Sequence, residues 1–233
     1  MAISLEKITG VAGLCAVAAG VIFAGVQINH PPADVAHVAT AEMAVRETAK
    51  AVMAALALVG FAGMLVHNRR RFGVLGMVGY VLLSVGYLAM FANQVIVGAV
   101  LPTVAETDPG YVQAYIDAAV GGSPGRDIGA MSVVFGLTGV GYSLGGLVFG
   151  VALFRAGILS RWASLLLAFG TTSVLALSVL PESFNRPFAV PMAIALIGLG
   201  TSLWRDSRRP SPRVEAGVRL PADAAAGAPR TSS

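Results

Sequence analysis

Residues 132–154 read SVVFGLTGVGYSLGGLVFGVALF, a run of 23 positions without a charged side chain. Such a run is long enough to cross the hydrocarbon core of a bilayer as a helix. The whole chain has the same character, because 56% of its 233 residues are hydrophobic and 12% are charged, whereas soluble domains carry about 25% charged residues. We therefore predict an integral membrane protein.

Six segments are long and apolar enough to span a bilayer as helices, which takes about 17–25 residues. The predicted fold class is all-α, a bundle of six transmembrane helices that forms one membrane domain over residues 1–204. Residues 205–233 are rich in Pro, Ala and Arg without apolar periodicity, which predicts a disordered basic tail. The six segments are approximately 8–28, 49–66, 72–101, 128–154, 159–180 and 188–204.

The basic side chains indicate the orientation of this bundle. Of the sixteen Lys and Arg residues, nine lie at alternate connections on one side, four on the other and three in the tail. Cytoplasmic connections carry the excess of positive charge, so we expect both termini in the cytoplasm. The net charge of +4 then reflects orientation in the lipid bilayer, and no nucleic-acid partner is expected. The nine are Lys7, Arg69, Arg70, Arg71, Arg155, Arg161, Arg205, Arg208 and Arg209, and the four are Arg46, Lys50, Arg126 and Arg186.

Two of the predicted outer connections contain signals for short helices. Asp34 follows Pro31–Pro32 and is placed to cap a helix that leads towards the second span. Asp108 and Pro109 are typical of a helix N-cap and first position. One face of this second helix is apolar and aromatic, which predicts an amphipathic helix at the membrane surface. That face consists of Tyr111, Val112, Tyr115, Ile116 and Ala119.

Small residues follow one face of the fourth span at steps of four and three. Small residues let helix backbones approach closely in lipid, where hydrophobic burial gives little drive for association. The stripe predicts the main contact helix of the bundle, with a homodimer face or a site where a ligand meets the backbone as the alternatives; a homo-oligomer or a membrane-protein partner is the expected occupant if the face is an interface. Gly141 and Gly145 form a second small pair on an adjacent face. The helix-packing residues are Ser132, Gly136, Gly139, Ser143, Gly146 and Gly150.

The third span has a polar and aromatic flank without a single charge. Tyrosine hydroxyls and amides lose free energy in hydrocarbon unless they are hydrogen-bonded, so this flank must face the bundle interior or an interface. Two interpretations follow: interhelical hydrogen bonding, or a ligand pocket that opens outward near Asn93 and Gln94 with the tyrosines as its floor. The candidate ligand-binding residues are Tyr80, Ser84, Tyr87, Asn93, Gln94 and, at similar depth in the first span, Gln27.

The sequence contains no recognisable catalytic constellation, and we assign no catalytic residue, cofactor or metal site. No acidic or basic residue lies well inside a predicted span, and Arg46 and Glu47 are expected to be solvated at the start of the second span. His30, His37 and Glu42 are the residues that an enzyme acting at the outer face would use. Together with Asp34 they are also a weak metal-ligand set.

The turn between the fourth and fifth spans reads LFRAGILSRW over residues 153–162. Two arginines and an interfacial tryptophan would hold such a turn at the cytoplasmic headgroups. It resembles a turn in uncharacterised six-helix membrane proteins of high-GC Gram-positive bacteria, a family with a domain of unknown function. The resemblance implies a bacterial plasma membrane location and supplies no activity.

Three functional hypotheses remain. The first is a binding or transport-accessory protein that holds a small apolar molecule or a lipid in the outward pocket. The second is a structural subunit that packs against a membrane partner through the small-residue stripe. The third is an outer-face membrane enzyme.

Overall fold

A computed structural model describes residues 4–177 and 185–209. These residues are overwhelmingly helical and include no strand, which confirms the all-α class. The helices are α1 (Leu5–Gly25), α2 (Val35–Val38), α3 (Ala41–Ala99), α4 (Leu101–Thr107), α5 (Pro109–Ala119), α6 (Met131–Ala156), α7 (Arg161–Thr172), α8 (Val174–Leu177) and α9 (Asn185–Asp206).

Three of these helices, α1, α3 and α6, are long and apolar enough to cross a membrane. The predicted segments 49–66 and 72–101 both lie in or at the end of α3. The predicted segment 159–180 corresponds to α7 and α8, and its last three residues lie outside the described ranges. The segment 188–204 lies in α9, which continues to Asp206, so the first residues of the predicted tail are helical. The tail beyond residue 209 lies outside the described residues.

A single glycine reverses the direction of α3. A straight helix of 59 residues would extend about 88 Å, yet Gly73 has non-helical angles (φ 57°, ψ −159°) and divides it into two rods, residues 41–72 and 74–99. The rods lie side by side, because the rings of Phe61 and Tyr87 are 5.1 Å apart. The sequence predicts two spans separated by the Arg69–Arg71 segment, whereas in the structure the helix runs through these arginines and turns at Gly73.

Gly73→Ala is expected to lower the free energy of unfolding by about 1–3 kcal/mol, because this backbone conformation is essentially restricted to glycine. A Cβ at Gly73 would meet no atom of the described residues within 4 Å, so the effect comes from the backbone. Gly136→Ala is the control, since that helical glycine also has nothing within 4 Å. Unfolding in mixed micelles measures both variants, and equal stabilities would contradict the assignment of strain to Gly73.

The other helices pack around this hairpin through their small residues. A Cβ at Gly141 would lie 2.6 Å from the backbone nitrogen of Gly86, so α6 contacts the second rod of α3 nearly backbone to backbone. On its other side α6 contacts α7, where a Cβ at Gly150 would lie 2.8 Å from the carbonyl oxygen of Ser164. Helix α1 packs in the same manner against α9, at Gly13 and Gly20, and against α3, at Gly60 and Gly63.

The bundle has two chemically different ends. At one end, the arginine end, His67 Nε2 lies 2.7 Å from Asp206 Oδ2, and Arg71 donates to the Ala156 carbonyl at 3.3 Å. A Cβ at Gly10 would lie 2.9 Å from Ser207 Oγ, which places the start of α1 there too. The opposite end, the capped end, is covered by α2, α4 and α5, which share a small apolar core. It consists of Val38, Leu101, Val112, Tyr115 and Ile116.

Candidate functional site

A pocket of about 150 Å³ lies at the capped end, between the two rods of α3 and beneath α5. An apolar cavity of this size accommodates a molecule such as benzene, so the pocket has room for a ligand of about six to eight non-hydrogen atoms. Its wall combines aliphatic side chains with charged and amide groups. The residues that line it are His30, Ala33, Val38, Met43, Glu47, Lys50, Asn93, Gln94, Val97, Leu101, Tyr115, Ile116, Ala119 and Val120.

An ion pair between a buried carboxylate and a partly exposed ammonium forms one wall of this pocket. Glu47 is only 3% exposed, and its Oε1 accepts a hydrogen bond from Lys50 Nζ at 2.6 Å. Gly98 on the second rod makes room for the first carbon of the Glu47 side chain, since a Cβ there would lie 3.1 Å from Glu47 Cβ. The expectation that Glu47 is solvated is therefore wrong. The helix begins eight residues earlier than the predicted span, at Ala41, and α5 closes over it.

An amide pair and a phenol form the opposite wall. Tyr115 on α5 donates its hydroxyl to Asn93 Oδ1 at 2.5 Å, and Asn93 Nδ2 donates to Gln94 Oε1 at 3.0 Å. Burial raises the pKa of Tyr115 well above its ordinary value, and the neighbouring Tyr111 and Glu47 raise it further. The phenol therefore stays protonated at physiological pH and remains a donor.

This arrangement offers a small ligand hydrogen-bond partners of both kinds beside apolar surface. The Lys50 ammonium and the side-chain amides are donors, and the amide and carboxylate oxygens are acceptors. Val97, Leu101 and Ile116 supply apolar contact area. Concave sites with apolar walls and a few convergent polar groups are typical of small-molecule binding.

Arg46 has a structural role beside the pocket. Its guanidinium donates to the backbone carbonyls of Val26 (3.2 Å), Ile28 (2.9 Å) and Asn29 (3.0 Å), which follow the end of α1. Carbonyls at a helix end lack partners within the helix, and Arg46 supplies them from α3. Glu42 accepts two hydrogen bonds from the same guanidinium, at 3.0 and 2.9 Å. Glu42, a residue of the enzyme hypothesis, is thus held by Arg46.

Of the candidate ligand-binding residues, Asn93 and Gln94 line this pocket, whereas Tyr80, Ser84, Tyr87 and Gln27 do not. Tyr87 is buried between Phe61 and Tyr142, and Tyr80 packs against the ring of Phe149. The Oγ of Ser84 is buried without a hydrogen-bond partner among the described residues. The structure therefore separates the polar flank into a core part and a pocket part.

The small-residue stripe also divides into two parts. Ser143, Gly146 and Gly150 are buried, and a Cβ at either glycine would meet α7. Ser132, Gly136 and Gly139, nearer the capped end, are exposed. A Cβ at Gly136 or Gly139 would find no described atom within 4 Å.

The three histidines are at different places. His30 lines the pocket, with Nδ1 2.8 Å from the Pro31 carbonyl oxygen. His37 Nδ1 lies 2.7 Å from Asp34 Oδ1, and this hydrogen bond holds the pKa of Asp34 below its ordinary value. His67 lies at the arginine end. Within residues 4–177 and 185–209, no group of three His, Cys, Asp or Glu side chains is arranged to hold a metal ion.

Sequence reasoning missed Glu47, Lys50 and the hydroxyl of Tyr115 as pocket residues. The sequence contains one signal for the early start of α3, because Thr40 is a good N-cap residue. In the structure its Oγ1 accepts a hydrogen bond from the backbone nitrogen of Met43 at 3.3 Å. A helix that starts there carries Glu47 and Lys50 on one face, three residues apart. Tyr115 was placed correctly on the apolar face of a short helix, but its hydrogen bond to Asn93 depends on how α5 folds over α3.

The helices and the site together define a class, an all-helical membrane protein with a small pocket at the capped end of its bundle. No family model matches the chain, and neither does a curated protein or a solved structure. The resemblance of residues 153–162 to a bacterial six-helix family stays a prediction.

Proposed function

We propose that the chain crosses a bacterial plasma membrane six times, with both termini in the cytoplasm. The spans would be α1, the two rods of α3, α6, the segment that begins with α7 and α8, and α9. This proposal is supported by the arginine end, where the start of α1 and the end of α9 lie beside Arg69–Arg71 and the α6–α7 turn. Positive charge concentrated at one end is typical of the cytoplasmic side.

We further propose that the protein binds a small, weakly polar molecule in the capped-end pocket, in a binding or transport-accessory role. The observation that carries this proposal is the Glu47–Lys50 ion pair in the pocket wall. Removing two charges from water costs several kcal/mol per ion, so a buried pair is weak evidence for a stabilising role. Ionisable groups inside membrane helices mark functional sites more often than structural ones. The small volume favours a compact solute over an entire lipid.

Gln94→Leu tests this function, because it removes polar groups from the pocket wall while retaining side-chain bulk. The protein is purified from its membrane in gentle detergent, and retained small molecules are measured by native mass spectrometry. We expect the bound small-molecule mass to fall at least about tenfold in occupancy, since hydrogen bonds contribute about 0.5–1.5 kcal/mol each and an orphaned partner costs more.

Gln113→Leu is the matched control, since Gln113 lies on the exposed side of α5 and donates to Asp117 at 2.8 Å, its one side-chain hydrogen bond to a described residue. It should retain the wild-type adduct. An unchanged adduct in Gln94→Leu would refute the pocket as the binding site.

The structural-subunit hypothesis remains a second candidate, favoured by the exposure of Gly136 and Gly139. The appropriate variant is Gly139→Leu, because Gly146 already packs against Thr171 within the chain. If this face holds a partner copy, the same mass spectra should show a dimer in the wild type and a monomer in Gly139→Leu. A wild-type monomer would exclude the homo-oligomer form of this hypothesis.

A further inference from the structure

A second cavity, of about 510 Å³, lies at the arginine end, between the beginning of α7 and the last turns of α9. It is separate from the capped-end pocket and shares no residue with it. Its lining changes in character along α9, from aliphatic to hydroxyl to guanidinium. The residues are Ile158, Ser160, Trp162, Ile194, Ile197, Gly198, Thr201, Ser202, Arg205, Asp206 and Arg209.

The apolar part of this groove lies farthest along α9 from the arginine end. Ile194 and Ile197 lie on α9, two to three turns before its end, and the exposed Trp162 ring faces them from α7. Gly198 brings the ring close to α9, since a Cβ there would lie 2.6 Å from the tryptophan Cη2. Tryptophan prefers the boundary between hydrocarbon and headgroups.

Hydroxyl groups form the middle part. The backbone nitrogen of Ser160 donates to Ser202 Oγ at 3.1 Å, which fixes the start of α7 against α9. Thr201 lies beside this contact in the lining of the groove. Hydroxyls at this level can donate to an acceptor oxygen that enters the groove.

Arginine side chains form the rim. The guanidinium of Arg205 makes no hydrogen bond or ion pair with another described residue, whereas the acid in the lining, Asp206, is held by His67 at 2.7 Å and Arg209 at 3.1 Å. Arg208 is turned to the other side of the helix end, with its guanidinium 4.2 Å from the Trp204 ring. The rim therefore presents the guanidinium of Arg205, which has no hydrogen-bond or ion-pair partner among the described residues. The guanidinium of Arg209 lies beside it and contacts the Asp206 carboxylate.

We propose that this groove binds an anionic phospholipid of the adjacent leaflet. The phosphate would lie between Arg205 and the hydroxyl groups, with Arg209 as a second cation, and one acyl chain would follow Ile197 and Ile194 past Trp162. The groove is apolar at one end, carries hydroxyl groups in the middle and is cationic at the rim. This order matches that of the acyl chain, the ester groups and the phosphate in such a lipid. Guanidinium groups suit phosphate because they donate in a planar fork. The proposal is independent of the small molecule proposed for the capped end.

Arg205→Gln is the test variant, and Arg208→Gln is the matched control, because it removes the same charge three residues away and outside the groove. The full chain is delipidated in detergent and titrated with phosphatidylglycerol, with phosphatidylcholine and with inorganic phosphate alone, and bound masses are measured by native mass spectrometry. We expect one tightly bound phosphatidylglycerol and at least about tenfold weaker binding in Arg205→Gln, the effect of losing a charge-assisted hydrogen bond.

Arg208→Gln should change the affinity for phosphatidylglycerol by less than about threefold at physiological salt, because exposed charges are screened within about 8 Å. Equal losses in the two variants would overturn the site in favour of diffuse attraction between lipid and the basic end. Binding of phosphatidylcholine as tight as that of phosphatidylglycerol would overturn the preference for an anion. Full displacement of the lipid by millimolar phosphate would overturn the role of the acyl chain.

Discussion

Lys50→Met should lower the free energy of unfolding by about 3–5 kcal/mol at neutral pH, because it leaves the buried carboxylate of Glu47 without its partner. Methionine retains the length and most of the volume of lysine, so lost packing contributes little. Reversible unfolding in mixed micelles measures the effect. Arg126→Gln provides the comparison, since it breaks an exposed pair with Asp108 and should cost less than about 1 kcal/mol.

The double variant Glu47→Gln/Lys50→Met removes both charges and should recover to within about 1 kcal/mol of the wild type, as replaced buried pairs often do. A double variant as unstable as Lys50→Met would show that the lysine acts through packing and not through its charge.

Gly145→Leu is expected to prevent correct assembly of the bundle, with a loss of about 3 kcal/mol or more. A Cβ at this glycine would meet the backbone of Leu82 and Leu83 on the second rod of α3. Backbone atoms cannot move aside as the end of a flexible side chain can, so the helices would have to separate. The yield of monodisperse protein and its unfolding midpoint both report this loss.

Gly139→Leu is the control for this prediction, because it makes the same substitution in the same helix where a Cβ would meet nothing within 4 Å. Compared under conditions that keep both proteins monomeric, its free energy of unfolding should equal that of the wild type. If Gly145→Leu were as stable as Gly139→Leu, the close approach of α6 to α3 would be refuted.

Local signals in the sequence predicted local structure well. Asp108 accepts from Tyr111 N at 3.0 Å at the start of α5, and Asp34 accepts from His37 N at 2.9 Å at the start of α2. Both are N-caps at the predicted positions. Such contacts span three residues and depend on little else, so residue type and spacing are sufficient to identify them.

Contacts between helices that are far apart in the chain are harder to predict from the sequence. Periodicity identified the polar flank of the third span, but it could not decide which of its residues face the pocket and which face Phe61 and Phe149. The burial of Glu47 depends on α5, a helix more than sixty residues later, that folds over the hairpin of α3. The position of the turn at Gly73 depends on a backbone conformation that the neighbouring Arg69–Arg71 segment did not reveal.

The reversal at Gly73 has a consequence for biogenesis in a membrane. In the proposed topology both rods would cross the bilayer, and one residue provides no slack between them, so they would assemble as one helical hairpin. The carboxylate of Glu47 would enter with the leading rod and would be sheltered only once residues around Gly98, and later α5, have been synthesised.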